Sequence, residues 1–222
     1  IRLNNPPAGV VVSQNSAQFG VRPKLTGLVY PVLTSHIFYY GDTVDQNVEW
    51  DAVSGLKPDL SKPKVTVEYV VAGTSYPIAE NISLENGRNT LQWPRALVPD
   101  LKTNAAKIKI SCDEYPGEVY LQSTDGQKFA IYPKINITDP ASNVAVVVGD
   151  AATRIKWNYT GTNFTTVKLY FQDGDVDDGS YVAIDDSGTL SKNAGAGDGY
   201  PWTVPGSAVL GSNARIKIVD AT

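Results

Sequence analysis

One cysteine, one histidine and no methionine occur among the 222 residues. Each scarcity removes a class of chemistry. Cys112 alone cannot close a disulfide within the chain, so a compact fold must be held by its apolar core. His36 alone excludes a zinc site built from several imidazoles, and it could serve a Ser or Cys triad only from the loop "LTSHIFYY". No G-x-S-x-G nucleophile elbow occurs. No apolar run approaches the roughly 18 residues that span a bilayer, so no membrane span is expected. No secretory leader stands before Ile1, and the lack of an initiating Met leads us to expect a processed chain or an excerpt. The net charge is −4 with no cluster of Lys and Arg, which argues against nucleic acid as a partner. Apolar residues nowhere recur at i, i+3 and i+4 for three turns, so long helices are not expected.

What is present is alternation. Val65, Val67 and Tyr69 interleave with Lys64, Thr66 and Glu68, and Ile108 and Ile110 interleave with Lys107 and Lys109. Side chains of a strand point alternately to opposite faces, so these runs read as half-buried strands. "NGRN", "STDG" and "NAGAGDG" hold the residues that accept turn geometry. With 42% hydrophobic and 19% charged residues, the chain is globular rather than disordered. The expected class is all-β. Strands are placed near 25–30, 46–51, 64–71, 76–83, 89–93, 105–112 and 127–133.

The chain also repeats itself. Gly41 and Gly149 stand 108 positions apart, Trp50 and Trp157 107, and Trp93 and Trp202 109. "KIKI" at 107–110 returns as "RIKI" at 215–218, and "FGVRPKL" at 19–25 matches "FAIYPKI" at 129–135. A period of that size, with about seven short strands in each copy, predicts tandem immunoglobulin-like or fibronectin III-like β-sandwiches. The expected division is a preceding tail or donor segment at 1–24, a first sandwich at 25–133, and a second at 134–222 that lacks its last strand. Trp50 and Trp157 are expected at the centres of the two sandwiches.

"GDAATRIKW", "YPWTVPGSAVLGSNARIKIVD" and "STDGQKFAI" together form a run from a Gly turn and I-x-W through W-x-V-P to I-x-I-x-D and F-x-I. In this the chain resembles the Ig-like repeats of microbial cell-surface proteins, related to the Ser/Thr-rich anchored cell-wall proteins of fungi. The middle copy departs from the pattern at "LQWPRALVPDL" and inserts "GLKPDLSKP" after its Trp. The resemblance implies a surface-exposed tandem module of stalks, adhesins or envelope layers, located outside the cell, with no catalytic residues to carry over.

Few residues invite chemistry. Cys112 shares the inward register of Ile108 and Ile110 and reads as a buried apolar residue. "GAGDG" at 195–199 is followed by "YPWTVP", which cannot start a helix, so the helix N-terminus that favours phosphate is missing. "DGDVDDG" crowds Asp173, Asp175, Asp177 and Asp178 into six positions. It reads as a solvated hairpin tip, with weak Ca²⁺ binding as the alternative, and Ca²⁺ is the one cofactor considered. Four N-x-[ST] sequons stand at Asn81, Asn136, Asn158 and Asn163.

The expected function is therefore a non-enzymatic structural or adhesive module whose partners are neighbouring copies or repeats of the same protein. The alternative is a carbohydrate-binding module for cell-surface polysaccharide, with Tyr39, Tyr40 or Tyr200 stacking on sugars. Two origins compete for the out-of-register ends: an excerpt of a longer array, or head-to-tail strand addition in which Phe19 and Val21 of one molecule complete the last sandwich of the next.

Overall fold

The computed structural model describes residues 20–142, 144–173, 179–184, 189–208, 210–211 and 213–222. Among them the first strands are β1 (Lys24–Tyr30), β2 (Ile37–Tyr40), β3 (Gln46–Val53), β4 (Lys64–Val71), β5 (Thr74–Ser83) and β6 (Gly87–Trp93). A 3-10 turn at Arg95–Leu97 leads to β7 (Thr103–Cys112), β8 (Tyr120–Gln122) and β9 (Phe129–Pro133). Then come β10 (Ile135–Asp139), β11 (Arg154–Tyr159), β12 (Thr166–Gln172), β13 (Val182–Ala183) and β14 (Leu190–Ser191). A second 3-10 turn, Lys192–Gly195, precedes β15 (Tyr200–Pro201) and β16 (Arg215–Asp220). The chain is all-β, and among the described residues no helix is long and apolar enough to cross a membrane.

The strands form four sheets, ordered β1-β3-β6, β2-β9-β7-β4-β5 with β8 on β7, β10-β11-β15, and β13-β12-β14 with β16 on β12. Neighbouring strands run antiparallel except β2 on β9, which is parallel with Ile37 opposite Ala130 and Tyr40 opposite Pro133. Ile37–Tyr40 belonged to a stretch expected as a loop. It is a strand because β9, about ninety residues later in sequence, supplies its partner; a run of four without alternation carries no local sign of that pairing.

Buried side chains gather in two clusters. The first draws Leu25, Leu28, Val48, Trp50 and Trp93 from the β1-β3-β6 sheet against Phe38, Val65, Val67, Ile108, Ile110, Phe129 and Ile131 from the larger one. The inward residues follow the period of two: Val48, Trp50 and Ala52 in β3, Val65, Val67 and Tyr69 in β4. Two facing sheets that share an apolar layer make a β-sandwich arrangement. The second cluster holds Ile155, Trp157, Phe164, Val167, Leu169, Phe171, Trp202 and Val204, with Ile135, Ile216 and Ile218 partly buried at its margin.

The two cores share some pairings and lack others. β1 lies on β3 and β10 on β11, with Leu28 opposite Trp50 and Ile137 opposite Trp157. β3 carries β6, and β11 carries β15. The largest difference lies on the other face. β7 is covered by β9, whereas β16 has β12 on one side and, among the described residues, no strand on the other.

Candidate functional site

Two places combine geometry with specificity: the junction between the cores and the edge of β16 that, among the described residues, carries no strand.

At the junction, β9 passes through the single residue Lys134 into β10. Thr160 then staples this crossing: the Lys134 N–H donates to Thr160 Oγ1 at 3.1 Å, and the Thr160 N–H donates to the Lys134 carbonyl at 2.9 Å. The Thr160 hydroxyl in turn donates to the Tyr40 carbonyl. Lys134 Nζ reaches Asp42 Oδ1 at 2.9 Å and lies 6.0 Å from the centre of the Tyr39 ring. On a second side, Asp100 accepts from the Thr162 N–H at 2.7 Å and its hydroxyl at 2.8 Å, while Asn163 Nδ2 donates to the Asp100 carbonyl at 2.6 Å. On a third, Lys102 Nζ pairs with Asp220 Oδ2 at 2.8 Å and donates to the Thr222 carbonyl at 2.7 Å. Attachments on three sides remove rotations that a linker alone would leave.

Two glycines allow the close approach. Gly161 has φ +86°, and a Cβ there would lie 2.6 Å from Asp100 Oδ1 and 3.0 Å from Pro133 Cβ. Gly41 has φ +73°, and its Cβ would lie 2.6 Å from Thr160 Cγ2. Both positions combine a left-handed backbone with no room for a side chain. Gly161→Ala is expected to part Asp100 from Thr162 while both cores stay folded. The check is a loss of fixed distance between spin labels placed on β5 and β13, with unchanged melting of either core.

The junction carboxyls are held below their ordinary range. Hydrogen bonding to Lys134 lowers Asp42 and outweighs its partial burial. For Asp100 burial pulls upward, but the bonds from Thr162 and Asn163 outweigh it and the net shift is downward. A depressed folded pKa contributes stability above the unfolded value of about 3.9 and loses it as pH falls through the folded one. The junction is therefore expected to hold from neutral pH to about pH 4 and to loosen below it. The same label distances, followed through an acid titration, check this; loosening that begins near pH 6 would contradict it.

The second feature is a groove of about 680 Å³ beside β16, with Val144, Val146, Val148, Phe171, Trp202 and Ile216 among the residues that line it. Positions matched by "KIKI" and "RIKI" differ in burial: Ile108 and Ile110 are sealed, whereas Ile216 and Ile218 are half exposed. Ala106 is 0% exposed, whereas its counterpart Ala214 is exposed.

The residues singled out in the sequence fall as follows. Trp50 and Trp157 are buried in the two cores. Cys112 is buried; burial and then its bond to Glu114 push the thiol upward, away from the nucleophilic form. His36 Nδ1 accepts from the Val32 N–H at 3.1 Å, and the ring packs 4.5 Å from Tyr30, a turn-forming role. Asp173 borders a hollow of about 340 Å³ with Tyr200 and Trp202, whereas Asp175, Asp177 and Asp178 lie outside the described residues. Among the described residues no three His, Cys, Asp or Glu side chains gather to hold a metal. Val21 is exposed and Phe19 lies outside the described residues. Tyr39, Tyr40 and Tyr200 are half-buried, and all four sequon asparagines are exposed. Asp100, Thr160 and Gly161 drew no attention in the sequence, because small polar loop residues carry no mark of a partner sixty residues away. No protein-family model matches the chain, and no curated protein matches it.

Proposed function

We propose that the chain is a non-enzymatic structural module: tandem sandwiches of immunoglobulin-like type in an extracellular stalk, envelope layer or filament. The observation that supports it most is the junction, where one residue separates β9 from β10 and Asp42, Asp100 and Lys102 brace the crossing on three sides. Bracing of this kind serves a spacer, which must keep its reach, more than an enzyme, which needs a cleft and a reactive constellation. The parallel β2 on β9, the Trp in β3 and the facing sheets support the immunoglobulin-like type.

Small-angle scattering of the chain should return an elongated particle of fixed length, and Asp100→Ala should broaden its distribution of dimensions. A flexible distribution in the unmodified chain would overturn the spacer reading. So would a glycan-array signal that Tyr200→Ala removes, which would establish the carbohydrate-binding alternative through the hollow beside Tyr200.

A further inference from the structure

We propose that Asn163 is a site of N-linked glycosylation that decides whether the junction closes: bare, it braces the two cores, and bearing a sugar it leaves them hinged. The inference rests on the structural-module reading and adds to it a means of setting stiffness.

Asn163, Phe164 and Thr165 form an N-x-T sequon, and Asn163 and Thr165 are both exposed. The reaction belongs to a secretory transferase, which works on a chain before its cores have formed. Asn163 Nδ2 attacks the anomeric carbon of an oligosaccharide carried on a lipid pyrophosphate. A C–N bond forms as the sugar–phosphate bond breaks, the lipid pyrophosphate leaves, and one Nδ2 proton passes to a base of the transferase. The product amide keeps a single hydrogen.

In the folded chain that nitrogen is already engaged. Asn163 Nδ2 donates to the Asp100 carbonyl at 2.6 Å and to Asp100 Oδ1 at 3.1 Å. An unmodified amide has two hydrogens to give, so substitution removes half of what it can donate. Space is the larger obstacle. A lone Cβ on Gly161 would already lie 2.6 Å from the same Oδ1, and a sugar on Asn163 would hang from an atom 2.6 Å from the Asp100 carbonyl oxygen. Nor can the backbone carry Asn163 clear. Phe164 beside it is 1% exposed in the second core with its ring 5.4 Å from Tyr159, and the Thr165 N–H donates to the Thr222 hydroxyl at 3.0 Å. The sugar therefore displaces Asp100, and the two bonds from Thr162 go with it. The other sequons lack this coupling. Asn81 lies in β5, and Asn136 stands opposite Asn158 across β10 and β11; all three are exposed, and among the described residues none of them bonds to Asp100.

The test uses the full chain secreted from a eukaryotic host, with spin labels on β5 and β13. Peptide mass spectrometry should find a glycan on Asn163, and the chain that carries it should lose the single label distance. Thr165→Ala removes the sequon and keeps the Asn163 amide; made in the same host, with sugars on the other sequons, it should recover that distance. A bare Asn163, or a single distance kept by the chain that carries the sugar, would overturn the proposal. So would a Thr165→Ala chain that stays broad while the chain made without glycosylation holds one distance, since another sugar would then be responsible. A broad distribution in both of those chains would overturn the spacer reading, and the proposal with it.

Discussion

Replacing Trp50 with alanine is expected to abolish cooperative melting of the first core, and Trp157→Ala that of the second. Trp50 is 0% exposed at the centre of β3, between Leu28 of β1 and Asn89 of β6; Trp157 is 4% exposed. Truncating a buried aromatic costs about 3–5 kcal/mol, a large part of the 5–15 kcal/mol that holds a domain folded. The two indoles differ in one respect. Trp157 Nε1 donates to the Lys192 carbonyl at 2.8 Å, whereas Trp50 Nε1 is buried without a partner. Trp157→Phe therefore loses a hydrogen bond besides volume, and Trp50→Phe loses volume alone while relieving an unpaired donor. Calorimetry should rank Trp157→Phe as the more damaging of the two. Unchanged melting in either alanine variant would contradict its place in a core.

Gly195→Ala is expected to destabilise the second core by about 3 kcal/mol, near the upper end of what overpacking costs. Gly195 closes the 3-10 turn that lies on Trp157, and a Cβ there would stand 2.1 Å from the indole Cδ2 and 2.3 Å from Cε3. Neither atom is the loose end of a flexible chain. The indole is buried and tied through Nε1 to the same turn, so it cannot move aside without breaking that bond. Serine should do no better than alanine, since the obstruction is at Cβ. A melting temperature of the second core within a degree or so of the parent would show that the turn, not the ring, yields.

The strands were legible where the side-chain period of two is strong. Val65, Val67 and Tyr69 alternate with polar residues, and the structure places β4 at Lys64–Val71, where the pattern puts a strand. Ile108 and Ile110 likewise face inward from β7. Ile37–Tyr40 was not legible, because its partner is remote and its four residues do not alternate. Nor were Tyr120–Gln122, three residues whose pairing depends on the turn that folds them back on β7. The short connector "FAIYPKINI" was legible as one strand running almost directly into the next, but the bonds that brace it were invisible for a related reason. Asp100 and Thr162 are ordinary loop residues in sequence, and their bond exists only once both cores are in place. The groove was not legible, because the exposure of Ala214 against the burial of its counterpart Ala106 shows only once the strands are in place.

The parallel pairing of β2 with β9 has a mechanical meaning. A pull along the chain enters the first core near β1 and leaves it from the end of β9. Because β2 follows β1 and runs in the same direction as β9, tension reaches the two partners at opposite ends of their ladder, from Ile37 opposite Ala130 to Tyr40 opposite Pro133. Those bonds are loaded in shear, all bearing the force together, instead of parting one at a time as in an unzipped hairpin. The four-residue strand that sequence patterning overlooked is thus the clamp that would resist extension.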